Sequence, residues 1–308
     1  MKVSVIGAGN VGATVAQQVL EHELADVVLV DVVKGMPQGK ALDLLQAAPI
    51  LGYSRSVIGS NDYADTAGSD AVVVTAGLAR TPGMSRDDLV AKNSEIIRDV
   101  ARNVKKYCPD AFVIVVTNPL DVMSYVMLQI TGFPRRRVMG MAGVLDSARL
   151  AAFIAMELGI SPKDVNALVL GGHGDLMVPL ASRTTVSGIP VGELIAQDRL
   201  EAIFERTRNG GAEIVGLLGK GSAYYAPGAA AFAMVRCLLT DEKRIMPVSV
   251  YAQGEYGIHG VFVGLPVKLG RGGVEKIIEI DIPEAELRAL RASADAVSKV
   301  QTAVNVQA

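Results

Sequence analysis

The feature that most constrains this chain is an alternation. Short runs of β-branched and other apolar residues, at 2–6, 27–30, 71–75, 112–117, 138–141 and 167–170, are separated by stretches with helical periodicity. Strands buried on both faces of a parallel sheet read this way, because helices cover both sides. The segments 13–23, 39–48, 88–107 and 120–130 suit crossover helices, and the third follows Ser85-x-x-Asp88, a capping-box-like start. The pattern predicts an α/β fold built on a doubly wound parallel sheet. After about residue 145 the order loosens into helices at 146–158, 191–207 and 227–239, a hairpin pair at 245–252 and 260–268, a strand near 275–280 and a closing helix from Pro283. The reading therefore divides the chain into a parallel-sheet unit, 1–142, and an α+β unit, 143–308, with no low-complexity linker between them.

Composition excludes several classes of function. At 308 residues the chain is long enough for two domains of about 150 residues each. Gly, Pro or a charge interrupts every apolar stretch before the ~18 residues that a membrane span needs, and the start, Met1 to Gly7, has no long apolar leader region. Thirty basic against 32 acidic side chains leave a net charge of −2, which argues against a nucleic-acid partner. Cys108 and Cys237 form no C-x-x-C, so neither a disulfide framework nor a metal site is expected, and a cytoplasmic location fits.

Polar residues gather where the apolar runs end. Gly7-Ala8-Gly9-Asn10-Val11-Gly12 is G-x-G-x-x-G between a strand and a helix, the context in which its glycines have mechanical work: a tight turn, an approach for a pyrophosphate, and close helix packing. Asp31 stands 19 positions after Gly12 at the end of the next strand, where a carboxylate can accept from ribose hydroxyls and repel a 2′-phosphate. Val32 and Val33 follow it without a guanidinium, so NAD is expected rather than NADP, although Lys34 is close by.

His173, one of three histidines, lies in Gly171-Gly172-His173-Gly174-Asp175 after an apolar run. A lone histidine serves structure as often as chemistry. Asp146 and Arg149 are three apart at a helix start and share a face; an N-cap Asp with an i, i+3 ion pair is the plain alternative. Arg80 and Arg86 sit in a Pro-Gly-containing loop, where arginines are commonly solvated. Beside a dinucleotide site, however, three guanidinium groups suit a small substrate with more than one carboxylate.

With these motifs in order, and with Val116-Thr117-Asn118-Pro119 between them, the sequence resembles the lactate/malate dehydrogenases over essentially its whole length, specifically the malate dehydrogenases built like lactate dehydrogenases. The resemblance implies a Rossmann NAD-binding domain followed by a catalytic domain, and the reversible oxidation of (S)-malate to oxaloacetate. By the resemblance His173 is the acid/base, Asp146 its orienting carboxylate, and Arg149 the clamp on the carboxylate beside the reacting carbon. Arg86 polarises the carbonyl, Asn118 bonds the substrate oxygen, and Asn93, Val116 and Thr117 line the nicotinamide side. Arg80 holds the distal carboxylate where lactate enzymes carry a neutral residue such as Gln. Ala79, Thr81 and Ala223 depart from the usual pattern, the last standing where similar lactate enzymes often have Thr. Such enzymes are homodimers or homotetramers of the tricarboxylic acid cycle. The alternatives are a lactate or other 2-hydroxy acid dehydrogenase, against which Arg80 argues, a related NAD-using glycosidase, which would need a metal site with Cys or His ligands whereas neither Cys108 nor Cys237 is near a histidine in sequence, and a non-catalytic dinucleotide sensor. His22, His259 and Arg135-Arg136-Arg137 are expected to be structural, the last as a solvated turn, and Leu290, Ala294 and Val297 to face the core from the closing helix.

Overall fold

The parallel-sheet unit forms as the alternation predicts. The computed structural model describes residues 1–79 and 85–304, without the side chain of Arg86. Its first half runs β1 (Lys2–Ile6), α1 (Asn10–Glu21), β2 (Asp26–Val30), α2 (Met36–Leu51), β3 (Val57–Ser60), β4 (Ala71–Val74), α3 (Arg86–Tyr107), β5 (Phe112–Val115), α4 (Leu120–Thr131) and β6 (Val138–Gly140). These six strands pair in parallel in the order β3-β2-β1-β4-β5-β6. The order reverses between β1 and β4, which opens a crevice at their carboxyl ends. Val3, Val5, Val72, Val73, Val74, Val113, Ile114 and Val115 are fully buried, as strands covered on both faces require.

The second half comprises α5 (Gly143–Leu158), β7 (Val165–Asn166), β8 (Val169–Gly171), β9 (Met177–Pro179), β10 (Thr185–Val186), β11 (Ile189–Pro190), α6 (Val191–Leu194), α7 (Gln197–Leu218), α8 (Tyr225–Thr240), β12 (Arg244–Gln253), β13 (His259–Gly270), β14 (Gly273–Ile277) and α9 (Glu284–Thr302). The β12–β13 hairpin does not stand apart. Ser249 of β12 pairs with Gly140 of β6, and Gly264 of β13 pairs with Gly171 of β8, so one mixed sheet runs through both halves. A Cβ at Gly264 would lie 2.7 Å from the Gly171 carbonyl oxygen, so the crossing demands glycine on β13, while Gly171 is held as glycine by its φ of +83°. One apolar cluster likewise joins β1 and β2 to α8, β12, β13 and α9, with Leu290, Ala294 and Val297 of the closing helix inside it.

Several local expectations need correction. The helix expected at 191–207 is two helices, because Ile195 adopts extended backbone and buries its side chain among Leu200, Ile203 and Phe204; the second helix then continues to Leu218. β3 was not read from the sequence, since only Val57 and Ser60 of its four residues are buried. The strand at 167–170 is shifted to Val169–Gly171, and the one near 275–280 ends at Ile277. Asp146 is not an N-cap: Ala142 holds that position, and Asp146 lies within the first turn of α5. The triple arginine is not simply solvated. Arg135 bonds Glu255 and the Tyr251 carbonyl, both at 3.0 Å, and Arg137 bonds the Pro109 carbonyl at 2.7 Å and stacks on Phe133. Ser85 does form the capping box with Asp88. Both cysteines are buried and free. Among the described residues, no helix is long and apolar enough to cross a membrane, and no group of side chains is arranged to hold a metal.

Candidate active site

The glycine turn sits at the carboxyl end of β1. Gly7 has φ +104°, and a Cβ there would lie 2.5 Å from the Ala76 nitrogen, so the turn itself demands glycine. A Cβ on Gly12 would strike the Gly7 carbonyl and approach Val5 Cγ1 to 3.0 Å, so the close seat of α1 on β1 demands the second. Gly9 is different: its φ of −66° suits any residue, and a Cβ would meet no atom of the described residues within 4 Å. The packing of the described residues does not explain it. Gly9 is also the N-cap of α1 without a side-chain cap, and Asn10 and Gly9 are exposed while Ala8 is buried and Val11 half-buried. Open space in front of uncapped helix N–H groups fits a pyrophosphate. Asp31 completes the cradle: Oδ2 accepts from the Ala8 N–H at 2.8 Å and Oδ1 from the Val33 N–H at 3.0 Å. A carboxylate offers about four acceptor positions, so lone pairs remain for ribose hydroxyls. Val32 and Val33 are exposed beyond it. Lys40 of α2, which the sequence reading did not single out, reaches Asn10 Oδ1 at 3.5 Å; burial lowers its pKa while the Asp31 charge raises it.

On the other side of the crevice, Asn93 of α3 is fully buried and its amide is engaged with the protein. It accepts from the Leu78 N–H at 2.8 Å and donates to the Leu78 carbonyl at 3.1 Å and the Asn118 carbonyl at 2.7 Å. Asn93 therefore ties the foot of the loop after β4 to the end of β5. Thr117 is buried and donates to the Ala76 carbonyl at 2.6 Å, Val116 is buried, and the Asn118 side chain is exposed at the crevice end of β5. Arg80 lies outside the described residues, and so does the side chain of Arg86, whose backbone opens α3.

The histidine loop follows β8. His173 Nδ1 lies 2.8 Å from Asp146 Oδ2, and Arg149 Nη1 lies 3.4 Å from Oδ1 of the same carboxylate. The carboxylate accepts from Nδ1–H, so the neutral ring presents a free Nε2 lone pair. Burial pulls the His173 pKa down, but the charge and hydrogen bond of Asp146, with the charge of Asp121, outweigh burial and Arg149 and hold it above its ordinary value. Arg149 is 13% exposed, and its pKa is lowered by burial against the attraction of Asp146. Its Nε is buried without a hydrogen-bond partner among the described residues. Gly211 of α7 lies beside the guanidinium, where a Cβ would stand in ordinary contact at 3.6 Å from Nη2. Ala223, which is half-buried, precedes α8. An anchored imidazole beside an incompletely paired guanidinium can exchange a proton with a substrate oxygen while a carboxylate is held.

Two residues that fix the loop were missed from sequence. Asp121, on α4, accepts from the His173 backbone N–H at 2.8 Å and from Ser249 Oγ at 2.6 Å. Burial raises its pKa against these two bonds. It is the single charged residue of α4, a signal present in the sequence, but its partners are remote along the chain. Ser293 of α9 accepts from the Gly172 N–H at 2.8 Å and donates to the Leu176 carbonyl at 2.6 Å; nothing local marks it.

Comparison with known proteins places this geometry. Residues 1–140 match the lactate/malate dehydrogenase NAD-binding domain, and residues 143–305 the α/β C-terminal domain of the same family. A malate dehydrogenase of Chloroherpeton thalassium is 56% identical over 306 residues, 99% of each chain. One of Methanosarcina barkeri is 55% identical over 296 residues, 96% of each. Among solved structures, malate dehydrogenase from Salinibacter ruber is 53% identical, with a TM-score of 0.94 over 98% of this chain and 97% of that one. Lactate dehydrogenase from Cryptosporidium parvum, solved with lactic acid and nicotinamide adenine dinucleotide, is 43% identical with a TM-score of 0.95 over 98% and 97%. The chain belongs to the lactate/malate dehydrogenase family, with that family's NAD-binding domain at its amino end.

Proposed function

We propose that the chain is an NAD-dependent malate dehydrogenase that interconverts (S)-malate and oxaloacetate. The observation that carries this reading is one carboxylate, Asp146, shared by His173 at 2.8 Å and Arg149 at 3.4 Å. NAD, when bound, supplies the hydride acceptor for the malate C2–H. Gly7 to Gly12 hold its pyrophosphate (Gly7, Ala8, Gly9, Asn10, Val11 and Gly12 by turn and backbone) and Asp31 its ribose. Asn93, Val116, Thr117 and Asn118 shape the nicotinamide side, Asn93 by fixing the backbone of its neighbours. During oxidation neutral His173 takes the hydroxyl proton on Nε2, and Asp146 stabilises the imidazolium; in reduction the imidazolium returns the proton. Arg149 binds the carboxylate beside the reacting carbon, Asn118 and Arg86 the reacting oxygen, and Arg80 the distal carboxylate.

The fold serves lactate and malate enzymes alike, since relatives of both names superpose equally well. The choice of malate rests on Arg80 in the sequence and on the name carried by the curated relatives. The division at residue 142, a cytoplasmic location, a homodimeric or homotetrameric assembly and a place in the tricarboxylic acid cycle belong to the same proposal. The test is an NADH absorbance assay with oxaloacetate, pyruvate and no substrate. Rapid oxidation with oxaloacetate and little with pyruvate is expected; a preference for pyruvate overturns the substrate assignment.

A further inference from the structure

Asp121 lies outside the set of residues that face cofactor or substrate, yet it is the charged group most directly joined to the backbone of His173. We propose that Asp121 is a positioning residue for the acid–base histidine: its carboxylate fixes the His173 backbone and supplies a second negative charge that favours the imidazolium. The inference rests on the acid–base reading of His173.

Three observations carry it. Asp121 is only 5% exposed and is the single charge on α4, whose other buried positions are apolar except for Ser124 and Thr131, and such an ion is costly to bury without a purpose. It receives two donors, the His173 N–H at 2.8 Å and the Ser249 hydroxyl at 2.6 Å, and as the second residue of α4 it also lies at the positive end of the helix dipole. It joins three elements at one point: α4, the loop after β8, and β12, whose Ser249 pairs with Gly140 across the junction of the sheet. Among the described residues, the charged groups that act on the His173 ring are Asp146 and Arg149 from α5 and Asp121 from α4. Among these described groups two carboxylates stand against one guanidinium while the ring is neutral, a balance that favours protonation of the ring. Asp146 orients the ring, and Asp121 holds the backbone from which the ring projects.

A residue that merely staples the two halves would change stability and overall rate without moving a titration. Asp121→Asn keeps the shape and an acceptor for the His173 N–H while removing the charge. The expected result is that the descending limb of kcat/KM for oxaloacetate, followed against pH with saturating NADH, moves to lower pH, and that the His173 ring signal in an NMR titration of the three histidines moves with it. The His173→Asn protein identifies that signal. Asp121→Ala, which also removes the backbone anchor, is expected to lower kcat by a further tenfold or so. If Asp121→Asn does not fold, Asp121→Ser removes the charge without added bulk and carries the same expectation. An unchanged ring titration in a folded, charge-free variant overturns the proposal. Wild-type turnover in His173→Asn instead overturns the acid–base reading, so the two failures are distinguishable.

Discussion

His173 and Asp146 meet at 2.8 Å, Nδ1 to Oδ2, across 27 residues of sequence and between a loop and a helix. The carboxylate belongs to the first turn of α5, whose own N–H groups favour a negative charge there. The acid is thus set by a helix end and the base by a loop that Asp121 and Ser293 hold from two other elements.

This pairing has a consequence for pH. His173 is nine-tenths buried with its pKa held above the ordinary value, so the folded protein binds the ring proton more tightly than the unfolded chain. The stabilisation is therefore fully present below about pH 6.5, the unfolded value, and is lost as pH rises through the raised folded value. Thermal unfolding of wild type against His173→Asn should show a Tm advantage of wild type that shrinks toward alkaline pH. An advantage that grows with pH contradicts the assigned direction.

The glycine turn separates packing from ligand binding. Gly12→Ala places a methyl against the Gly7 carbonyl and should cost about 1–3 kcal/mol of stability as well as NADH binding. Gly9→Ala meets no atom of the described residues and should cost about 1 kcal/mol or less, yet weaken NADH binding about tenfold or more, because the methyl occupies the pyrophosphate's approach. Chemical denaturation and NADH fluorescence titration measure both; equal NADH affinity in Gly9→Ala and wild type contradicts the cradle.

Asp31 should set the choice of dinucleotide. Asp31→Asn keeps an acceptor for the Ala8 N–H but removes the charge. NADH affinity is expected to fall about tenfold, the loss of one charge-assisted bond, while NADPH binding improves as the repulsion of its 2′-phosphate disappears. Titration of both dinucleotides decides it, and unchanged affinity for both removes Asp31 from cofactor recognition.

Arg80→Gln should lower kcat/KM for oxaloacetate by about one to two decades, the ~1.5–3 kcal/mol of a charged hydrogen bond, and narrow its margin over pyruvate. Steady-state kinetics on both keto acids is the check, and an unaltered ratio of the two contradicts the role given to Arg80.

What was legible in the sequence follows physical lines. The buried parallel strands announced themselves because both faces are covered, so β1, β2, β4 and β5 were placed within two residues. β3 escaped because Ile58 is exposed and Gly59 breaks the run. The break before α7 was invisible because Ile195 leaves the helix to satisfy a distant core. Of the site, the cradle could be read since strand, turn and helix are contiguous, whereas the meeting of Asp146, His173 and Arg149 is tertiary and came only from the resemblance. Asp121 was overlooked because its partners lie 52 and 128 residues away.

The most direct measurement is made on His173→Asn, comparing NADH binding with hydride transfer in both directions, each followed by NADH absorbance. The account predicts NADH affinity close to wild type, since the cradle of Gly9 and Asp31 is untouched, with turnover reduced by about 10²–10⁴, the usual contribution of a positioned general acid–base. Turnover at the wild-type rate, with binding intact, would contradict it.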